Sequence, residues 1–275
     1  MKKSSILFLC MMPLLFCPSC KKNHAYDLAP NVNTANDVIL SISTYSAIFN
    51  MLVKARLDST LVNTGQTTIG GANVRYDSTE MQYYFVFNVV DCPDNVNRNG
   101  EIRIKVSGDI LQAGSSAVVT FDYYSEDKGT VSGNDSITNE GINSMGQMVF
   151  SNEVSDGYIF KFYGAGAMLV NLSNQYKASS SSLIPGQDIL FHISGSITGQ
   201  SSAGYVFSAS IRGTLEDAFS CPWIRSGILD VHVPAAQVQD GYIDFVASDG
   251  CSDTLHYTFN ESLFKVLKKA LWLKN

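Results

Sequence analysis

Residues 101–106 read Glu-Ile-Arg-Ile-Lys-Val (EIRIKV). Ile102, Ile104 and Val106 face one way and Arg103 and Lys105 the other, the period of a strand with one buried and one solvated side. The same alternation recurs in YVFSASIR (205–212), where Tyr205, Phe207, Ala209 and Ile211 alternate with smaller or polar residues, and again in DILFHIS (188–194) and DTLHYTF (253–259). Between such runs lie NRNG, EDKG, TNEG, SDG, SSAG and QDG, all turn formers. Strands joined by short Gly-bearing turns predict a long antiparallel meander. One polar and one apolar face per strand predicts a sheet covered on one side, as a twisted open sheet or a half-barrel. The fold class is mainly β.

The cover is expected from the N-terminal part. In TANDVILSISTYSAIFNMLVKARLDS (34–59), Leu40, Tyr45, Ile48, Leu52 and Ala55 recur at helical spacing, and Phe49 and Val53 widen the stripe. Thr34, Asn36 or Asp37 can cap its start, so a helix is predicted near 36–57. The following NTGQTTIGGANVRYDS reads as a loop. The tail SLFKVLKKALWLKN (262–275) has a helical composition, although its place after FNES would suit an edge strand.

Upstream, Lys2 and Lys3 precede an apolar segment, Ile6–Phe16, and no acid occurs before Asp27. A cationic head and an apolar run of about 11 residues make a signal peptide, where a membrane span needs ~20. Ser19 supplies the small residue required before a cut at Cys20. The stretch LLFCPSCKKN (14–23) resembles a bacterial lipobox, with Cys20 as the first mature residue and the lipid-bearing thiol; Cys17 stands where Leu is usual. The expected organisation is a lipoprotein signal over 1–19, a polar tether over 20–33 and one β-rich domain over 34–275. The chain's charge is −6, and loss of Lys2 and Lys3 leaves 17 basic against 25 acidic residues, a net −8. An acidic chain of this kind argues against nucleic acid as a partner.

The order of VVDCPDNVNRNGEIRIKVSG, VVTFDYYSEDKGTVSGNDSITNEG, ISGSITG, CPWIRSGILDVHV and GYIDFVASDGCSDTLHYTF is similar to a group of envelope lipoproteins of Bacteroidota. The similarity spans roughly residues 80–260. It implies an envelope location and a β architecture, and supplies no catalytic residue. VPAAQVQDG and the tail depart from it.

An exported chain sits where disulfides survive. Besides Cys20 the mature chain holds Cys92, Cys221 and Cys251. A hairpin centred near Gln237 puts Cys221 opposite about position 253, within reach of Cys251 if the register shifts, so Cys221–Cys251 is the expected bridge. The same centre puts Asp230 opposite Asp244, and a turn centred at Gly250 puts Asp244 opposite His256. An Asp230–Asp244–His256 row is chemically able to hold a metal ion, and one slip of register removes it.

Other motifs are weaker. NVNRNG (95–100) begins like a calcium loop, but Val106 stands where the twelfth-position Glu is required. YGAGA (163–167) lacks the third Gly of a dinucleotide fingerprint. There is neither an HExxH nor a GxSxG pattern. The sequence therefore predicts a lipid-anchored envelope protein, expected at the outer membrane on its periplasmic or exposed side, with a non-catalytic binding or structural role. No cofactor is expected, and the partner is a glycan or a protein. A glycan hydrolase using Asp230 and Asp244, and a lipid carrier with a half-barrel groove, are the alternatives.

Overall fold

The computed structural model describes residues 28–93, 96–127, 129–161, 166–235, 238–246 and 251–267. They form helices α1 (Leu28–Leu57) and α2 (Ser59–Thr64), then strands β1 (Gln66–Ile69), β2 (Ala72–Asp77), β3 (Gln82–Asp91), β4 (Asn97–Val106), β5 (Ser116–Glu126), β6 (Gly129–Ile142) and β7 (Met148–Lys161). The chain continues through β8 (Ala167–Ala178), β9 (Leu190–Gln200), β10 (Val206–Ala218), β11 (Ile224–His232), β12 (Gly241–Phe245), β13 (Thr254–Phe259) and β14 (Ser262–Leu267). Each strand pairs with its sequence neighbours, giving one 14-stranded antiparallel meander that stays open. This is the mainly β fold that the alternation predicts.

Helix α1 is apolar almost all round, and such a helix must be surrounded. Ala35, Val38, Ile39, Ile42, Tyr45, Ile48, Phe49, Leu52 and Val53 are all fully buried although they point in every direction. The sheet curves about the helix to bury them. Phe49 stacks on Tyr176 of β8 at 4.0 Å and meets Phe191 of β9 and Phe150 of β7 edge-on at 5.0 and 5.4 Å. Asn36, Ser43, Ala47, Asn50 and Lys54, recurring every few residues, form a half-buried stripe, with Val32, Asn33 and Arg56 half-buried toward the two ends. The core therefore fills the concave side of the sheet.

Curvature comes from bulges, which bend a strand and increase its twist. Register shifts interrupt β6 between Ser132 and Asn134 and β7 between Val154 and Gly157. There the backbones of Gly133 and Gly157 approach so closely that a Cβ on Gly133 would lie 2.7 Å from the Gly157 Cα. Gly133 and Gly157 thus mark bends inside strands.

Three local expectations are corrected. Helix α1 begins at Leu28, so residues 28–33 of the expected tether are helical. Pro30 falls in the first turn, where its missing N–H is not needed, and Asp37 lies inside the helix instead of capping it. The stretch read as a loop, residues 63–78, holds the last two residues of α2, whose N-cap Asp58 accepts from Leu61 N, and then the β1–β2 hairpin, which turns through Gly70 and Gly71 at positive φ. The tail forms strand β14 as far as Leu267, because Asn260 and Glu261, both at positive φ, make a two-residue hairpin turn that pairs it with β13. Residues 268–275, and 162–165 of the YGAGA stretch, lie outside the described residues.

Candidate functional site

The Asp230–Asp244–His256 row is not assembled as predicted. Asp244 does pair with His256 across β12 and β13. Between β11 and β12, however, Asp230 faces Tyr242, and Asp244 faces Ile228, a two-residue shift from the expected register. Asp230 instead receives both arms of the Arg212 guanidinium from β10, with Nε 3.0 Å from Oδ2. Among the described residues no group of three His, Cys, Asp or Glu side chains could hold a metal.

The same shift favours the disulfide. Extended outward, the Gly227–Phe245 register puts position 221 opposite 251, and Cys221 and Cys251 are bonded with their Cα atoms 5.3 Å apart. Cys92 is buried, its Sγ directed at Gly71. Cys20 lies outside the described residues.

The helix is fastened to the sheet by buried polar groups that the sequence reading did not single out. Asp37, fully buried, accepts from Lys161 Nζ at the end of β7 and from the backbone N and Oγ of Ser202, all at 2.7 Å. Thr44 donates to Glu126 Oε2 at 2.9 Å, while Glu126 Oε1 accepts from Tyr124 at 2.7 Å and Arg98 at 3.1 Å. Burial lifts the Tyr124 hydroxyl well above its ordinary pKa, so it stays a donor. Asn50 donates to Asp217 Oδ2 at 2.9 Å. Along the half-buried stripe, Thr44, Asn50, Arg98, Glu126, Asp217 and Trp223 line a cavity of about 50 Å³. That is room for one or two waters.

A second polar row crosses the inner face. Asp135 of β6 accepts from Asn152 of β7, and Asn152 pairs with Asn174 of β8. Asp135 Oδ2, Asn152 Oδ1 and both polar atoms of the Asn174 amide are buried without a hydrogen-bond partner. Burial pushes the Asp135 carboxyl up to about 7, partly offset by the Asn152 hydrogen bond.

Two concavities lie at the C-terminal end of α1. One groove of about 500 Å³ is bordered by Arg56, Val62, Tyr76, Tyr83 and Asp109. Arg56 forks onto Asp109 with contacts of 2.6 and 2.5 Å, and the pair holds the Asp109 carboxyl below its usual range. Tyr76 and Tyr83 lie ring to ring at 4.5 Å, and burial first, then Tyr76, push Tyr83 up to about 12. A second groove, of about 480 Å³, passes Lys54, Ile184 and Phe219. Both volumes are in the range that takes small ligands.

No family model matches the chain, and neither a curated protein nor a solved structure matches it. By length and apolarity alone Asn31–Leu57 could cross a membrane, which fits a signal or anchor segment; here 78% of its most apolar window is buried by the sheet.

Proposed function

We propose that the chain is an envelope lipoprotein, held to a membrane through Cys20, whose β domain acts by binding and not by catalysis. The supporting observation is the molecule's polarity. Seven residues, a span of at most ~28 Å, separate Cys20 from the start of α1, whereas grooves of ligand size open at the opposite end of that helix. A tethered domain would hold those grooves away from the bilayer. Paired tyrosines beside an Arg–Asp fork suit a glycan: ring faces stack on sugar, and the charged pair accepts and donates to hydroxyls.

Glu126 already accepts three side-chain donors, an arrangement that supports a structural role for it over a hydrolytic one. A lipid carrier would have to expel α1 from the concave face that it now fills. Labelled palmitate should enter the wild type and not Cys20→Ala; equal labelling ends the anchor. Calorimetry against a panel of oligosaccharides should give heat that Tyr83→Ala removes, and a silent panel rejects the glycan.

A further inference from the structure

The outer face carries an apolar stripe at one height. Tyr158 of β7 pairs with Leu169 of β8, Leu169 with Gln200 of β9, and Gln200 with Val206 of β10. Tyr158, Leu169 and Val206 are exposed, and Phe160, exposed as well, lies parallel to Tyr158 at 6.4 Å. The stripe thus runs across four strands, perpendicular to them. Toward β3, two bulges add further apolar groups. Val89 and Tyr123 have φ of 49° and 48° and are 70% and 92% exposed. A β-branched residue at positive φ is a backbone outlier, and a bulge re-aims the side chain it carries. Exposed apolar groups on other parts of the surface are scattered, which is ordinary; a contiguous band is not.

The position of the band identifies its occupant. Lys161, three residues beyond Tyr158, and Ser202, between β9 and β10, both hold Asp37 near the start of α1. The band is therefore toward the end of the domain where the chain arrives from Cys20, and the seven intervening residues keep the start of α1 within ~28 Å of an anchored thiol. Three strand residues span about 10 Å, close to the roughly 5–10 Å to which apolar faces sink into the headgroup boundary. The net charge of −6 opposes anionic lipid, so contact relies on apolar and aromatic groups.

We infer that this band of Tyr158, Phe160, Leu169 and Val206 docks on the surface of a zwitterionic bilayer, orienting the domain beside its anchor. The inference rests on the Cys20 reading. The test uses the full lipoprotein in phosphatidylcholine vesicles, with Trp223 and Trp272 replaced by Phe. Indoles are introduced singly by Phe160→Trp, by Val206→Trp, and by Met145→Trp at the far end. With dibrominated phosphatidylcholine, the first two should lose emission, since aromatic rings at the interface sit at headgroup level against the lipid, and Met145→Trp should lose none. The mass of the N-terminal peptide is read on the same sample. Acylated Cys20 with unquenched indoles at 160 and 206 overturns the docking band and leaves the anchor standing. Unmodified Cys20 overturns the anchor and the docking inference together. Equal quenching at all three sites also rejects a specific band.

Discussion

Replacing Asp135 by Asn should stabilise the protein, and the gain should grow with pH. Asp135 is 1% exposed and its Oδ2 has no hydrogen-bond partner. Its carboxyl is raised from 3.8 to about 7, chiefly by burial. Between those values the unfolded chain has released this proton and the folded chain still holds it. Folding is therefore linked to proton uptake, and stability falls as pH rises. The contribution is fully present below about 3.8 and is lost as pH passes through about 7. At 1.36 kcal/mol per unit, the full span is about 4 kcal/mol, of which about 2–3 kcal/mol falls between about pH 5 and pH 8. Asparagine keeps the shape, cannot ionise, and can donate to the Asn152 Oδ1 that has no partner. The assay is urea unfolding of both proteins across that pH range. Groups common to both cancel in the difference, which should widen by about 2–3 kcal/mol, or roughly 5–10 °C in Tm for a domain of this size. A difference that stays constant from about pH 5 to pH 8 would refute the argument, because it would mean that Asp135 titrates alike in the folded and unfolded chain.

Two further outcomes follow from the same geometry. Cys221→Ser with Cys251→Ser opens a loop of 30 residues and should lower stability by about 3–4 kcal/mol in the chain-entropy treatment; denaturant midpoints that match with and without reductant would count against the bridge. Asp37→Ala strands the Lys161 ammonium under α1 and should cost about 3–5 kcal/mol, whereas adding Lys161→Met should recover much of it in a double-mutant cycle; a double variant no better than the single would show that the pair is not the cause.

The strands were legible because each keeps one face dry, and period two survives any local composition. What escaped was set by partners distant in sequence. The start of α1 looks like a tether because Asn31 and Asn33 are polar, yet Asn31 is buried and accepts from the backbone N of Gln239, 208 residues away. The tail has a helical composition, but the Asn260–Glu261 turn lays it against β13, and pairing outweighs propensity. The predicted Asp230–Asp244 opposition failed by two residues, a shift that keeps the face and changes the neighbour, and the Cys221–Cys251 bond fits the shifted register. For the buried acids a signal did exist. In β6, Val131, Asp135, Ile137 and Asn139 share one parity and all are buried. Asn152 likewise shares parity with Phe150 and Val154, and Asn174 with Leu172 and Tyr176. A polar residue that occurs in phase with the apolar side of a strand must either find a partner inside or alter its ionisation. Asp135 does both, which is why the stability of this sheet should depend on pH through a residue that its composition gives no reason to notice.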